Sequence, residues 1–174
     1  MADGADGAAG VAGPAARELA AEILRLLTAA GQTVAAAESL TGGLVAAALT
    51  DVPGSSSAFR GCVVAYATEL KAQLLGVDSR MLAAHGPVYA PVAAAMAEGV
   101  RMRLGATIGV ATTGVAGPEP ADGFPPGTVH IAVSLADDTV VRTMALNGNR
   151  DEVRRLTVER LLGLLLGRLR EDRP

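Results

Sequence analysis

The spacing of apolar residues predicts a helix at each end of the chain, with strands and helices alternating between them. Leu19, Ile23, Leu26 and Leu27 share one face at helical spacing. Short runs rich in Val, Ile and Thr, bounded by Gly and Pro, are typical of strands. The predicted helices are 14–30, 43–50, 69–75, 80–84, 91–104 and 151 onward, and the predicted strands are 33–37, 61–67, 107–113, 128–135 and 139–146.

This order of elements predicts the fold class α/β. Strands separated by helices indicate a largely parallel sheet, and the short turn at residues 136–138 makes the last two strands an antiparallel hairpin. We therefore predict a three-layer α/β/α sandwich whose mixed sheet is mostly parallel with one antiparallel strand. A single domain should cover residues 14–174, and residues 1–13, which are rich in Ala, Gly and Asp, should form a disordered tail.

Composition argues against several classes of function. The net charge of -3 and the aromatic content of 2% provide neither a basic surface nor a stacking platform for nucleic acid. No apolar run has the length of a membrane span, the N-terminus lacks the basic residues of a signal peptide, and the single cysteine permits no intrachain disulfide. We therefore expect a cytoplasmic protein without a membrane partner. The two histidines, His85 and His130, are too few for a zinc site, so we expect neither a metal nor a cofactor, and His130 should be structural.

Polar residues follow three of the predicted strands at turns that contain glycine. The turns are residues 39–43, 113–117 and 147–150. Ligands of open α/β sheets bind at the carboxyl ends of parallel strands, so the first two turns should share one edge, and the third reaches it if the last strand also ends there. Ser39 stands before a predicted helix, where a serine serves as an N-cap, a phosphate ligand, or a nucleophile beside an oxyanion hole.

A serine nucleophile needs a base, and the sequence offers two candidates. Lys71 lies five residues after Tyr66, and a lysine activates a serine when burial lowers its pKa. His85 is the alternative base, although nothing in the sequence places it beside Ser39. The simplest other interpretation of Lys71 is a solvent-facing helix residue, which is the usual position of a lysine.

Seven short motifs occur along the chain between about Leu19 and the final helix. They are Ala37-Glu38-Ser39-x-Thr41-Gly42-Gly43, Gly54-Ser55-Ser56, Tyr66 with Lys71, Gly86-Pro87-Val88, Thr113-Gly114-Val115-Ala116-Gly117-Pro118, Gly127-Thr128-Val129 and Gly148-x-Arg150. Together and in this order they resemble the CinA C-terminal domain family, which includes the stand-alone nicotinamide mononucleotide deamidases. The three-layer α/β fold of that family agrees with the pattern of elements.

The resemblance implies an activity and roles for named residues. Members of the family hydrolyse the carboxamide of nicotinamide mononucleotide to nicotinic acid mononucleotide and ammonia. Ser39 then matches the nucleophile, Lys71 its base, Tyr66 a hydroxyl partner of either, and Thr113 an active-site threonine. The residues implied at the substrate are Glu38, Thr41, Gly42, Gly43, Ser55, Ser56, Gly114 and Arg150. Backbone N–H groups of residues 41–43 are expected to bind an oxyanion or a phosphate.

Three interpretations of function are open at this point. The first is metal-independent hydrolysis of nicotinamide mononucleotide, and the second is the same chemistry on a different pyridine or nucleoside amide. The third is a non-catalytic module of the same fold that binds a nucleotide or a partner. The joint presence of Ser39, Tyr66, Lys71 and Thr113 favours an enzyme. We also expect a homo-oligomer, although no residue specifies the number of copies.

Overall fold

The computed structural model describes residues 12–171, which contain five strands and six α-helices. The strands are β1 (Val34–Glu38), β2 (Phe59–Val64), β3 (Ile108–Gly114), β4 (Thr128–Ser134) and β5 (Thr139–Ala145). The helices are α1 (Pro14–Ala30), α2 (Leu44–Thr50), α3 (Thr68–Leu75), α4 (Ser79–His85), α5 (Ala90–Arg103) and α6 (Arg150–Glu171), and Ser55–Ser57 form a short 3-10 helix. Of the tail predicted at residues 1–13, residues 1–11 lie outside the described part, and Ala12 is buried against the core.

The five described strands form one mixed sheet in the order β2-β1-β3-β4-β5. β1 pairs in parallel with β2 and β3, whereas β4 pairs antiparallel with β3 and β5. Within residues 12–171, β4 is therefore the one strand that runs against the others, and the predicted fold class is confirmed. Because β1, β2, β3 and β5 run in the same direction, the turns after β1, β3 and β5 leave the sheet at a single edge, here called the carboxyl edge.

Helices cover both faces of the sheet and complete the three layers. α1, α2 and α6 pack together on one face, and α3, α4 and α5 lie on the other. Gly109 in β3 lets α5 approach closely, because a Cβ at this position would lie 2.0 Å from the carbonyl oxygen of Ala97. Small residues in the strands thus allow close packing of the layers with an aromatic content of only 2%. None of the helices within residues 12–171 is both long enough and apolar enough to cross a membrane.

The bounds of β2 differ from the prediction in a way that affects the site. β2 runs over Phe59–Val64, whereas the sequence pattern predicted a strand over 61–67. β2 is an edge strand that pairs with β1 alone, and the pairing stops where Val64 faces Glu38, the last residue of β1. Tyr66 therefore lies in the turn before α3 rather than in a strand, and it is 60% exposed.

Candidate active site

A cavity of about 270 Å³ lies at the carboxyl edge, between the turns that follow β1 and β3. Its wall contains the four residues predicted to be catalytic and two of those predicted at the substrate, namely Ser39, Tyr66, Lys71, Thr113, Gly114 and Arg150. The start of α6, which follows β5, reaches the same cavity. All three glycine-containing turns therefore meet at one edge, as the direction of the strands requires.

Ser39 and Lys71 are in direct contact at the base of this cavity. Ser39 follows β1, and its backbone N–H donates to the carbonyl oxygen of Thr112 in β3 (3.1 Å). Lys71 extends from the first turn of α3, and its Nζ donates to Ser39 Oγ (3.2 Å) and to the carbonyl oxygen of Ala65 (2.7 Å). Lys71 is 1% exposed, so it is not a solvent-facing helix residue. The N-cap of α2 is Gly43, so Ser39 does not cap that helix either.

Burial makes Lys71 suitable as a base. Desolvation of the ammonium lowers the pKa of Lys71 from 10.5 to about 8, although the carboxylates of Asp122 and Glu69 act in the opposite direction. Lys71 is also the only lysine of the 174 residues, so the remainder of the 15 lysines and arginines are arginines. A guanidinium stays protonated in proteins. The one cationic side chain that is able to become a neutral amine is therefore the one buried beside Ser39.

The N-terminus of α2 is occupied by a protein carboxylate, which corrects the prediction of a ligand there. Glu38 is fully buried, and it accepts hydrogen bonds from the backbone N–H groups of Gly43 (2.9 Å), Val45 (3.2 Å) and Ala46 (2.9 Å). The thiol of Cys62 donates to the same carboxylate (3.4 Å). A negative charge at this end of a helix is favoured by the helix dipole. Glu38 and the N–H of Gly43 therefore stabilise α2 and do not line the cavity.

Thr41 and Gly42, which were also implied at the substrate, make contacts within the protein. Thr41 is fully buried, where its Oγ1 shares a hydrogen bond with Thr112 Oγ1 (2.8 Å). Gly42 has a φ of 57°, a left-handed conformation that favours glycine, and its N–H donates to the carbonyl oxygen of Ser39 (3.1 Å). Both residues therefore shape the turn after Ser39, and neither lines the cavity.

Ser55 and Ser56 lie away from the cavity, which corrects their predicted role at the substrate. They belong to the 3-10 helix that precedes β2. Because a strand carries its two ends to opposite edges of the sheet, the residues before β2 lie at the edge remote from Ser39. The predicted order of elements, with this loop before a parallel strand, already indicated that edge, and only the family resemblance implied a role at the substrate.

The turn after β3 forms the opposite wall of the cavity. Thr113 is 1% exposed, and its Oγ1 donates to the carbonyl oxygen of Pro87 (2.8 Å) in the loop between α4 and α5. At Gly114, a Cβ would lie 2.4 Å from the carbonyl oxygen of Thr128 in β4. Thr113 therefore connects the wall to the α4–α5 loop, and the absence of a side chain at Gly114 allows β4 to approach.

Arg150 and Tyr66 form the outer rim of the cavity. Arg150 is the first residue of α6, and its guanidinium donates to the carbonyl oxygen of Gly117 (2.9 Å) and to the hydroxyl oxygen of Tyr66 (3.1 Å). The hydroxyl of Tyr66 therefore contacts Arg150, whereas the sequence suggested Ser39 or Lys71 as its partner. Both rim side chains are exposed, so a ligand entering from solvent meets them first.

Three charged residues near the cavity were not predicted. Glu119 and Asp122 line it from the loop after β3, and Asp122 has a positive φ of 52°. Arg154 donates to two carbonyl oxygens of the turn after Ser39. Arg154 follows Arg150 by four positions, which places both guanidinium groups on one face of α6, and this spacing was visible in the sequence. The acidic loop offered no comparable signal.

Neither histidine lines the cavity, although His130 pairs with Thr113 across strands β3 and β4. His85 ends α4 and stacks on Tyr89, with ring centroids 4.4 Å apart. His130 is 7% exposed in β4, where its Nδ1 shares a hydrogen bond with Thr143 Oγ1 (2.9 Å) and burial lowers its pKa. Among residues 12–171 no group of three or more His, Cys, Asp or Glu side chains is arranged to hold a metal ion. Lys71, and not a histidine, is the basic side chain in contact with Ser39.

Comparison with known proteins identifies the family. Residues 16–169 match the family model of the CinA C-terminal domain. The chain belongs to the CinA family. The resemblance seen in the seven sequence motifs is thereby confirmed, and the CinA domain covers the whole sheet and the cavity.

Two curated relatives of similar sequence are longer than this chain. A CinA-like protein of Frankia casuarinae is 54% identical over 153 residues, which cover 88% of this chain and 35% of that protein. A CinA-like protein of Parasynechococcus marenigrum is 47% identical over 154 residues, which cover 87% of this chain and 37% of that protein. The chain thus spans about a third of the length of the curated relatives it matches.

Solved structures of the family share the fold almost completely. The competence damage-inducible protein A (ComA) from Klebsiella pneumoniae matches with a TM-score of 0.88 at 34% identity, covering 91% of this chain and 99% of that one. The competence/damage inducible protein CihA from Agrobacterium tumefaciens matches with a TM-score of 0.85 at 36% identity, covering 88% and 95%. These names specify no reaction, so the reaction has to be inferred from the site.

Proposed function

We propose that this CinA domain hydrolyses the carboxamide of nicotinamide mononucleotide to nicotinic acid mononucleotide and ammonia. The observation that carries the proposal is the buried contact between Lys71 Nζ and Ser39 Oγ (3.2 Å). Lysine side chains are rarely buried, because removing the ammonium from water is unfavourable. The same burial favours the neutral amine that a serine nucleophile requires. The contact therefore supports Ser39 as the nucleophile and Lys71 as its base.

The first half of the proposed reaction acylates Ser39. Ser39 Oγ attacks the carboxamide carbon and its proton passes to Nζ of Lys71, which leaves a tetrahedral intermediate with a negatively charged oxygen. The Lys71 ammonium then donates this proton to the amide nitrogen, the carbon–nitrogen bond breaks, and ammonia leaves. The product of this half is an ester between Ser39 and the pyridine carbonyl.

The second half hydrolyses that ester with the same two residues. A water molecule attacks the ester carbon while neutral Lys71 accepts one of its protons. The ammonium then returns a proton to Ser39 Oγ as the ester bond breaks, and nicotinic acid mononucleotide is released. Because Lys71 acts first as a base and then as an acid in each half, a pKa of about 8 suits the reaction near neutral pH.

The charges around the cavity suit the proposed substrate. Arg150 offers a guanidinium at the rim, where its hydrogen bonds to Tyr66 and Gly117 orient it, and guanidinium groups bind phosphate well. Glu119 and Asp122 place negative charge on the wall, which favours the positive charge of the pyridinium ring. A substrate with a cationic ring and a phosphate matches both features, whereas a neutral amide matches neither.

The proposal is tested by incubating the purified domain with nicotinamide mononucleotide and measuring ammonia and nicotinic acid mononucleotide together. We expect equal amounts of both products. Nicotinamide riboside, which keeps the cationic ring but lacks the phosphate, should react with a higher KM, and free nicotinamide should react least. Binding of the mononucleotide without release of ammonia would contradict the proposal and favour a non-catalytic binding module. Release of ammonia only from another pyridine amide would contradict the substrate while supporting the chemistry.

A further inference from the structure

Arg154 makes contacts at the site that the reaction above does not use. It lies one turn after Arg150 in α6, its side chain is 26% exposed, and its guanidinium binds the turn that follows Ser39. Nε donates to the carbonyl oxygen of Leu40 (3.1 Å), and Nη2 donates to the carbonyl oxygen of Thr41 (2.9 Å). Hydrogen bonds from a cation are about twice as strong as neutral ones. Arg154 therefore holds this turn in one orientation.

The position of Arg154 opposes two local preferences of α6. A cation near the start of a helix faces the positive end of the helix dipole, and Arg150 adds a like charge four residues earlier on the same face. Asp151 compensates little, because its carboxylate oxygen lies 4.0 Å from the guanidinium and its side chain is 80% exposed. A residue that conflicts with the preferences of its own helix is expected to act elsewhere.

Two peptide groups connect Arg154 to the nucleophile. A trans peptide group directs its N–H away from its C=O, and hydrogen bonds in a chain polarise one another. The Thr41 carbonyl that binds Arg154 shares a peptide group with the Gly42 N–H, which donates to the carbonyl oxygen of Ser39 (3.1 Å). The Ser39 carbonyl in turn shares a peptide group with the Leu40 N–H. This chain of hydrogen bonds therefore leads from the Arg154 guanidinium to the N–H directly after the nucleophile.

The Leu40 N–H is the free end of this chain. Leu40 lines the cavity, and within residues 12–171 its N–H has no hydrogen-bond acceptor, whereas the N–H groups of Ser39 and Gly43 are engaged. In serine hydrolases with a strand–turn–helix nucleophile, the N–H after the serine stabilises the oxyanion. We propose that Arg154 is a positioning residue that aligns and polarises the Leu40 N–H as an oxyanion donor. This inference rests on the proposed role of Ser39.

The first test compares the steady-state kinetics of Arg154→Ala and Arg154→Lys with those of Arg155→Ala, which removes an exposed arginine at the next position. Loss of one oxyanion donor lowers kcat by about 10²–10³, and Arg154 acts through such a donor, so we expect a decrease of about 10- to 100-fold in kcat with KM nearly unchanged. Arg154→Lys should recover little, because an ammonium cannot bind two carbonyl groups in the same fork. Methylguanidinium in solution should restore part of the Arg154→Ala rate, which a purely structural defect would not permit.

A fluorophosphonate probe separates this inference from the choice of substrate. Ser39 Oγ displaces fluoride from phosphorus, its proton passes to Lys71, and the phosphoryl oxygen occupies the place of the oxyanion, so no nucleotide is needed. We expect Arg154→Ala to be labelled at Ser39 more slowly than wild type by about 10- to 100-fold, with acceleration by methylguanidinium. Labelled wild type that releases no ammonia would contradict the proposed substrate and leave the role of Arg154 supported by the labelling rates. A folded Arg154→Ala labelled at the wild-type rate, or a loss that methylguanidinium does not restore in either assay, would overturn the role of Arg154.

Discussion

The pKa of Lys71 leads to a quantitative prediction of how activity depends on pH. With a pKa of about 8, about one molecule in ten carries a neutral Lys71 at pH 7, compared with about one in 3,000 for a lysine of pKa 10.5. If the neutral amine is the active form, kcat/KM should rise by about tenfold between pH 7 and pH 9.5 and then level off. Burial of the side chain is the physical cause, because it disfavours the ammonium.

The titration of Lys71 can be observed directly because the chain has only one lysine. Protein labelled with ¹³C at the lysine Cε should give one lysine resonance, whose shift follows the proton on Nζ. We expect a midpoint at pH about 8. Asp122→Asn should move the midpoint to lower pH, because the Asp122 carboxylate is the larger of the two charges that raise this pKa. Asp151→Asn, an exposed substitution on α6, is the control.

Two results would refute this reasoning about Lys71. The first is a midpoint near about 10.4, the value of an unperturbed lysine, because burial would then not favour the neutral amine. The second is a kcat/KM profile that does not follow the Lys71 resonance in wild type and in Asp122→Asn, because another group would then control the rate.

Three further predictions concern binding and stability. Arg150→Ala should raise KM for the mononucleotide far more than KM for the riboside, because the guanidinium binds the phosphate. Tyr66→Phe, which removes a hydrogen bond to Arg150, should raise KM for the mononucleotide by a smaller factor. Equal effects of Arg150→Ala on both substrates would exclude phosphate binding by Arg150. Glu38→Ala should lower the free energy of unfolding by about 3–5 kcal/mol in urea titrations, because it leaves buried N–H groups of α2 unpaired. Glu38→Gln should lower it less. A loss below about 1 kcal/mol for Glu38→Ala would contradict the capping role. The pKa of Lys71 is lower in the folded state than the ordinary 10.5, so unfolding takes up protons between pH 8 and 10.5. The free energy of unfolding of wild type should therefore rise by about 3 kcal/mol across this window relative to that of Lys71→Met. Stability curves of the two proteins that stay parallel would contradict the shift.

The order of strands and helices was predictable because it depends on local spacing and on residues that begin or end elements. α1 occupies the predicted range, with Pro14 in its first turn and Gly31 in a left-handed conformation after its end. The end of β2 was not predictable, because it is determined by where β1 stops pairing. That contact joins residues far apart in sequence, and it moves Tyr66 from a strand into the rim of the cavity.

The site was predictable in its residue types and less so in its contacts. Ser39, Lys71 and Thr113, which the motifs predicted at one site, line one cavity in the structure, and their catalytic roles stay predictions. The burial of Lys71 depends on how α3 packs against the carboxyl edge, and an eight-residue helix with one lysine contains no sign of that. The position of Glu38 under α2 was equally hidden, because a strand-end carboxylate looks the same whether it contacts a ligand or a helix N-terminus.

The central claim is that Ser39 attacks the carboxamide, and the most direct measurement is ammonia release from nicotinamide mononucleotide by Ser39→Ala beside Ser56→Ala. Ser56 is an exposed serine at the opposite edge of the sheet, so it controls for loss of a hydroxyl. We predict that Ser56→Ala keeps the wild-type rate, and that Ser39→Ala releases no ammonia above the uncatalysed rate while staying within about 2 kcal/mol of wild-type stability. A folded Ser39→Ala that releases ammonia at a rate near that of wild type would contradict the claim.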